Sequence, residues 1–103
     1  MIELSDENFD AEVLNKEETV VVDFYADWCG PCKVLAPILD SVAKDYPLIK
    51  ICKLNIENAQ EIARRFKVTS IPFIAVFKDG KIVDRRIGFN GRPAIEDLFE
   101  RNQ

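Results

Sequence analysis

Thr19-Val20-Val21-Val22-Asp23-Phe24-Tyr25 is a nearly unbroken run of β-branched and aromatic residues. A strand with one wet face alternates apolar and polar side chains. This one does not, so it reads as a central strand covered on both faces, the condition that parallel sheets impose. The period then changes. Between residues 31 and 46, Val34, Leu35, Ile38, Leu39, Val42, Ala43 and Tyr46 recur at helical spacing and form one apolar face. Pro37 lies inside that stretch, where its missing donor predicts a kink.

The rest of the chain continues the alternation. Residues 49–55 read as a second strand, 59–66 as a short helix, and 73–77 and 81–88 as two further strands. Asp79-Gly80 between the last two is a hairpin signal, because glycine tolerates the positive φ of a primed turn, so these strands are antiparallel. Pro93 followed by Ala94, Ile95, Leu98 and Phe99 marks a C-terminal helix. Ser5 is placed to cap an N-terminal helix that buries Phe9, Val13 and Leu14. Parallel strands with helical crossovers, then a hairpin, predict an α/β domain over residues 1–103: a mixed central β-sheet flanked by helices on both faces. No linker or repeat interrupts it.

Composition removes several function classes. The chain of 103 residues has no histidine, which excludes Ser-His and Cys-His nucleophilic catalysis, His-ligated zinc and His-based pH switching. A net charge of −4 is a poor match to a phosphate backbone, so no nucleic-acid partner is expected. Three cysteines do not make a disulfide framework. The first seven residues carry acids where a targeting peptide needs bases, and no apolar run approaches the ~20 residues of a membrane span. These features predict a soluble cytoplasmic protein with no membrane association. Residues 1–52 sum to −7 and residues 53–103 to +3, which reads as solvated faces of a dipolar domain. Gly88-Phe89-Asn90-Gly91 and the pairs Arg64-Arg65 and Arg85-Arg86 carry no nucleic-acid signal beyond that, and there is no Gly-rich phosphate loop.

The chemistry concentrates in Trp28-Cys29-Gly30-Pro31-Cys32-Lys33, where the first long strand ends and the helix begins. Cysteines at i and i+3 on a first helical turn are close enough to form a disulfide. Cys29 falls at the helix N-terminus, where unpaired N–H groups and the positive dipole end stabilise a thiolate. Pro31 suits a first-turn position, and Gly30 adds no side chain beside the nucleophile. Two other readings compete. A zinc pair would need further donors, and only Cys52 is available; inert packing cysteines would not be expected at a helix start.

Val22-Asp23-Phe24-Tyr25-Ala26-Asp27-Trp28-Cys29-Gly30-Pro31-Cys32-Lys33 resembles the active-site signature of the thioredoxin family. Pro37, Lys53-Leu54-Asn55, Ser70-Ile71-Pro72, Phe77-Lys78-Asp79-Gly80 and Gly88 stand in that family's order and spacing, so the likeness covers nearly the whole chain. It implies the thioredoxin fold and a general protein disulfide reductase that needs no bound cofactor or metal. Cys29 would attack a substrate disulfide and Cys32 would resolve the mixed disulfide. Asp23, a carboxylate in an apolar strand, would lie behind the cysteines and help move the Cys32 proton. Burial should raise its pKa and a nearby Lys53 should lower it. The alternative for Asp23 is a buried ion pair with Lys53 and no part in catalysis.

The resemblance also implies a docking rim of Trp28, Gly30, Pro31, Ile71, Pro72, Gly88 and Phe89, with Pro72 in cis. The backbone before Pro72 would pair with an extended substrate segment. Phe89 is bulkier than that place predicts, and Tyr25 stands where many members carry tryptophan. Cys52 reads as a small core hydrophobe, with a regulatory thiol as the alternative. Implied partners are a thioredoxin reductase as electron donor and disulfide-containing substrate proteins, met by a monomer. An oxidase or isomerase on the same fold, a glutathione-dependent relative, and a binding module within a larger assembly are the competing functions.

Overall fold

The computed structural model describes residues 1–14 and 17–103. Its strands are Ile2–Glu3 (β1), Val20–Tyr25 (β2), Lys50–Asn55 (β3), Phe73–Lys78 (β4) and Lys81–Ile87 (β5); its α-helices are Gly30–Ala43 (α1), Gln60–Arg65 (α2) and Arg92–Glu100 (α3). The five strands form one sheet in the order β1-β3-β2-β4-β5. β1, β3 and β2 run parallel, and β4 and β5 are antiparallel to their neighbours. The mixed sheet and the closing hairpin agree with the sequence reading. Asp79 and Gly80 have φ of 53° and 78°, as a primed turn requires.

Strand alternation sorts the central residues onto two cores. Val20, Val22 and Phe24 of β2 join Cys52, Leu54, Phe73, Ala75 and Phe77 on the face covered by α2 and the N-terminal segment. Val21 joins Ile74 and Val76 on the opposite face, against Leu35, Leu39 and Val42 of α1 and Ile95, Leu98 and Phe99 of α3. Phe9, Phe66 and Phe77 pack with ring centroids 5.3–5.8 Å apart. Truncating fully buried Phe77 to alanine would cost about 3–5 kcal/mol. On the sheet's far edge, Arg101 donates through both Nε and a terminal nitrogen to Asp84, at 2.6 and 3.0 Å, fixing the end of α3 to β5. Those hydrogen bonds hold the Asp84 carboxyl well below the usual carboxylate range.

The ends of α2, β4 and β5 shift by a residue from the sequence reading, and three further differences have a local cause. The N-terminal segment is a capped turn that widens into five π-helical residues, Asp10–Leu14, rather than an α-helix. Ser5 does cap it: Asn8 N–H donates to the Ser5 hydroxyl at 3.2 Å, and Ser5 N–H donates back to Asn8 Oδ1 at 2.7 Å. Phe9 and Val13 are buried as expected, while Leu14 is half-buried. α1 ends at Ala43 instead of Tyr46, because the next N–H groups bond three residues back, Asp45 to Val42 and Tyr46 to Ala43, ahead of Pro47. Ile49 donates to the Tyr46 carbonyl, so β3 starts one residue later than read. α1 runs on through Pro37 as one helix.

Candidate active site

The site lies where β2 ends and α1 begins, at the carboxyl edge of the parallel strands. Cys29 is the N-cap of α1, with extended backbone (φ −87°, ψ 108°), and Pro31 occupies the first turn. The Cys32 N–H donates to Cys29 Sγ at 3.3 Å, so sulfur takes the place a serine oxygen takes at an ordinary cap. Cys29 and Cys32 are joined as a disulfide with Cα atoms 5.3 Å apart. They are 5% and 3% exposed and pack with Ala26, Tyr25, Ile56 and Ile71. The helix start does not keep the pair out of apolar surroundings, contrary to the sequence reading; the bond between the two sulfurs, rather than their exposure, sets them apart from packing cysteines and from zinc ligands.

Trp28 is 66% exposed, too open for a packing residue, and stands beside the cysteines as an apolar surface. Gly30 and Pro31 are exposed, and a methyl group built on Gly30 would meet no atom within 4 Å, so the approach to Cys29 is open there. The Ile71–Pro72 peptide is cis. Ile71 touches the cysteine cluster, and Gly88 N–H donates to the Pro72 carbonyl at 2.8 Å, drawing the start of β4 and the end of β5 together. Phe89 instead leans half-buried on the α1–α3 core.

A cleft of about 210 Å³ runs behind Cys32, lined by Asp23, Tyr25, Ala26, Lys33, Ala36, Asp40 and Lys53 among others. β2 places Asp23 here because odd-numbered β2 residues face α1. Val21 fills the equivalent position with a hydrocarbon one step earlier. Asp23 is 2% exposed, and its Oδ1 has no hydrogen-bond partner among the described residues. Burial pushes its carboxyl up to about 7, partly offset by the positive charge of Lys53. The buried ion pair weighed as an alternative does not form. Lys53 is the register neighbour of Asp23, but its ammonium pairs with Glu3 at 3.6 Å and lies 5.9 Å from the centre of the Tyr25 ring.

Glu3 is the residue the sequence reading missed. A two-residue strand with both side chains exposed has no periodicity to announce it. Only the pairing of β1 on β3 sets Glu3 opposite Lys53, where Tyr25 donates its hydroxyl to the Glu3 carboxylate at 3.0 Å. Burial, and after it that bond, push the Tyr25 phenol pKa up. Cys52 is fully buried in the α2-side core, and burial pushes its thiol up to about 11, as a core hydrophobe requires and a reactive thiol does not. Among the described residues no cluster of three cysteine or acidic side chains is arranged to hold a metal ion, and no helix is long and apolar enough to cross a membrane.

The Thioredoxin family model matches residues 1–101. A thioredoxin from Pseudomonas aeruginosa is 37% identical over 103 residues, covering 99% of this chain and 95% of its own. One from Mycoplasmoides gallisepticum is 42% identical over 89 residues, covering 86% and 89%; one from Chlamydia muridarum is 43% identical over 84 residues, covering 82% of each.

Proposed function

We propose that this chain, which belongs to the thioredoxin family of disulfide oxidoreductases, works in the reducing direction, as a monomeric cytoplasmic reductant of protein disulfides. The observation that carries this reading is the Cys29–Cys32 disulfide at the first turn of α1, with one sulfur at the helix cap. In the reduced protein the cap amide and the helix dipole favour a Cys29 thiolate. That thiolate attacks one sulfur of a substrate disulfide; the other substrate sulfur leaves with the bonding pair and takes a proton from solvent. Cys32 then loses its proton, attacks Cys29 Sγ, and releases the substrate's second sulfur. The chain ends oxidised and the substrate reduced by two electrons.

Asp23 is the group suited to take the Cys32 proton. It lines the same cleft, and a carboxyl that titrates near 7 is divided between acid and base at neutral pH. Lys53 tunes it. Trp28, Gly30, Pro31, Ile71, Pro72 and Gly88 form the docking rim, where backbone beside cis-Pro72 meets an extended substrate segment. The redox carrier is the chain's own cysteine pair, so no bound cofactor is required, and a thioredoxin reductase restores the dithiol.

Trapping tests this. Reduced Cys32→Ser mixed with a disulfide-containing protein is expected to accumulate a mixed disulfide through Cys29, identified by mass spectrometry. Cys29→Ser is expected to accumulate none. Adducts through Cys32 alone would overturn the assignment.

A further inference from the structure

On the α1 side of the sheet, three residues from adjacent parallel strands stand in one row. Glu3 of β1 pairs in register with Lys53 of β3, which pairs in register with Asp23 of β2. One ammonium therefore sits between two carboxylates. It could serve either, and it serves Glu3, at 3.6 Å. Tyr25, two residues along β2 from Asp23, secures that choice: its hydroxyl reaches both Glu3 oxygens, at 3.0 and 3.2 Å, while Lys53 lies above its ring. Asp23 is left with an unpartnered oxygen in the cleft behind Cys32.

We propose that Glu3 is a positioning residue for Asp23: by holding the Lys53 ammonium at the edge of the sheet, with Tyr25 fixing its carboxylate, it keeps Asp23 from an ion pair and so sets the pH at which Asp23 exchanges its proton.

As an ion pair, Glu3–Lys53 is half-exposed and adds little to stability. Its effect lies in where the cation is not. Opposite charge counts for far more beside a carboxylate in a dry site than beside one in water. The other charged or titratable groups around Asp23 do not substitute for Lys53. From α1 come Cys32, Lys33 and Asp40, from the β2–α1 loop Asp27, and from the chain start the Met1 amine; β4 sets neutral Ile74 in register with Asp23. Lys33 and Met1 are exposed, and two of the remaining groups are acids.

The inference concerns the proton affinity of Asp23, and only its consequence for turnover rests on the proposed proton transfer to Asp23. Carbon-13 NMR titration of the Asp23 carboxyl in the oxidised protein reads it directly. Glu3→Gln is expected to free Lys53 toward Asp23 and lower the Asp23 midpoint by about one pH unit, the low end of what an opposite charge within ~4–6 Å does. Tyr25→Phe is expected to lower it in the same direction by less. In a Lys53→Met background, Glu3→Gln is expected to shift it no further. An unmoved midpoint in Glu3→Gln overturns the proposal. So does a full shift that persists without Lys53, since Glu3 would then act by its own charge alone. A shifted titration together with unchanged exchange in Asp23→Asn would uphold this inference and remove the proton-transfer reading.

Discussion

The backbone N–H of Cys32 donates to Sγ of Cys29 at 3.3 Å across the first turn of α1. Reduction breaks the sulfur–sulfur bond; with the backbone cap geometry retained, a thiolate at Cys29 would keep that hydrogen bond and the positive end of the helix. The two cysteines should therefore differ in reactivity despite nearly equal burial. In the reduced protein, iodoacetamide is expected to modify Cys29 first, before Cys32 reacts appreciably. Peptide mapping after a short pulse at several pH values checks this. First modification at Cys32 would contradict it.

Asp23→Asn keeps the shape of the side chain and removes its capacity to accept a proton. It is expected to fold normally and to slow release of reduced substrate from the mixed disulfide by about 100-fold near pH 7, the low end for loss of a positioned acid–base group. Formation of the mixed disulfide should change little. Stopped-flow traces that follow Trp28 fluorescence separate the two steps. Equal release rates in parent and variant would contradict the role.

The same carboxyl makes stability depend on pH. Its midpoint rises from 3.8 to about 7 on folding, so between those values the folded state holds a proton that the unfolded state has lost, and stability falls as pH rises. At about 1.4 kcal/mol per pH unit, the loss is on the order of 4 kcal/mol, absent below about pH 4 and complete above about pH 7. Urea unfolding of the oxidised protein at pH 4 and pH 8 is expected to show this decline, and Asp23→Asn is expected to abolish most of it. The same decline in both proteins would contradict the assignment to Asp23.

Most of the fold was legible in the sequence because the strands and helices carry strong periods. The Val20–Val22 run, the α1 face and the Asp79-Gly80 turn each announce a backbone state by local chemistry. Cys29, Cys32 and Asp23 were legible because each breaks a local rule: a thiol pair at a helix start, an acid in an apolar strand. Glu3 was not, since its meaning comes from strand register 50 residues away, and the fate of the Lys53 ammonium depends on that register. The π-helical widening at Asp10–Leu14 was hidden for a similar reason. Its apolar spacing suits an α-helix, and nothing in the composition marks the extra residue in the turn.

Two backbone positions give opposite stability effects. Gly80 has φ of +78°, and a methyl group there would meet the Leu14 carbonyl oxygen at 2.9 Å, so Gly80→Ala is expected to destabilise by more than about 1 kcal/mol. Lys67 has φ of +56° and closes α2 as a glycine ordinarily does: its N–H bonds the Arg64 carbonyl and that of Val68 bonds Ala63. Lys67→Gly is expected to stabilise by about 0.5–1 kcal/mol, because the left-handed conformation penalises a side chain by about 1–2 kcal/mol, offset in part by the greater entropy of unfolded glycine. Thermal unfolding of both variants tests the pair. A neutral Gly80→Ala or a destabilising Lys67→Gly would contradict the geometry.

The central claim is that this cysteine pair works as a reductant, and its redox equilibrium tests that most directly. Oxidised and reduced forms are brought to equilibrium with dithiothreitol and glutathione buffers and distinguished by Trp28 fluorescence. A potential near or below about −250 mV is expected, low enough to pass electrons to exposed protein disulfides. A potential above about −200 mV would contradict the account, because such a pair gives up its disulfide readily and oxidises or isomerises its partners instead.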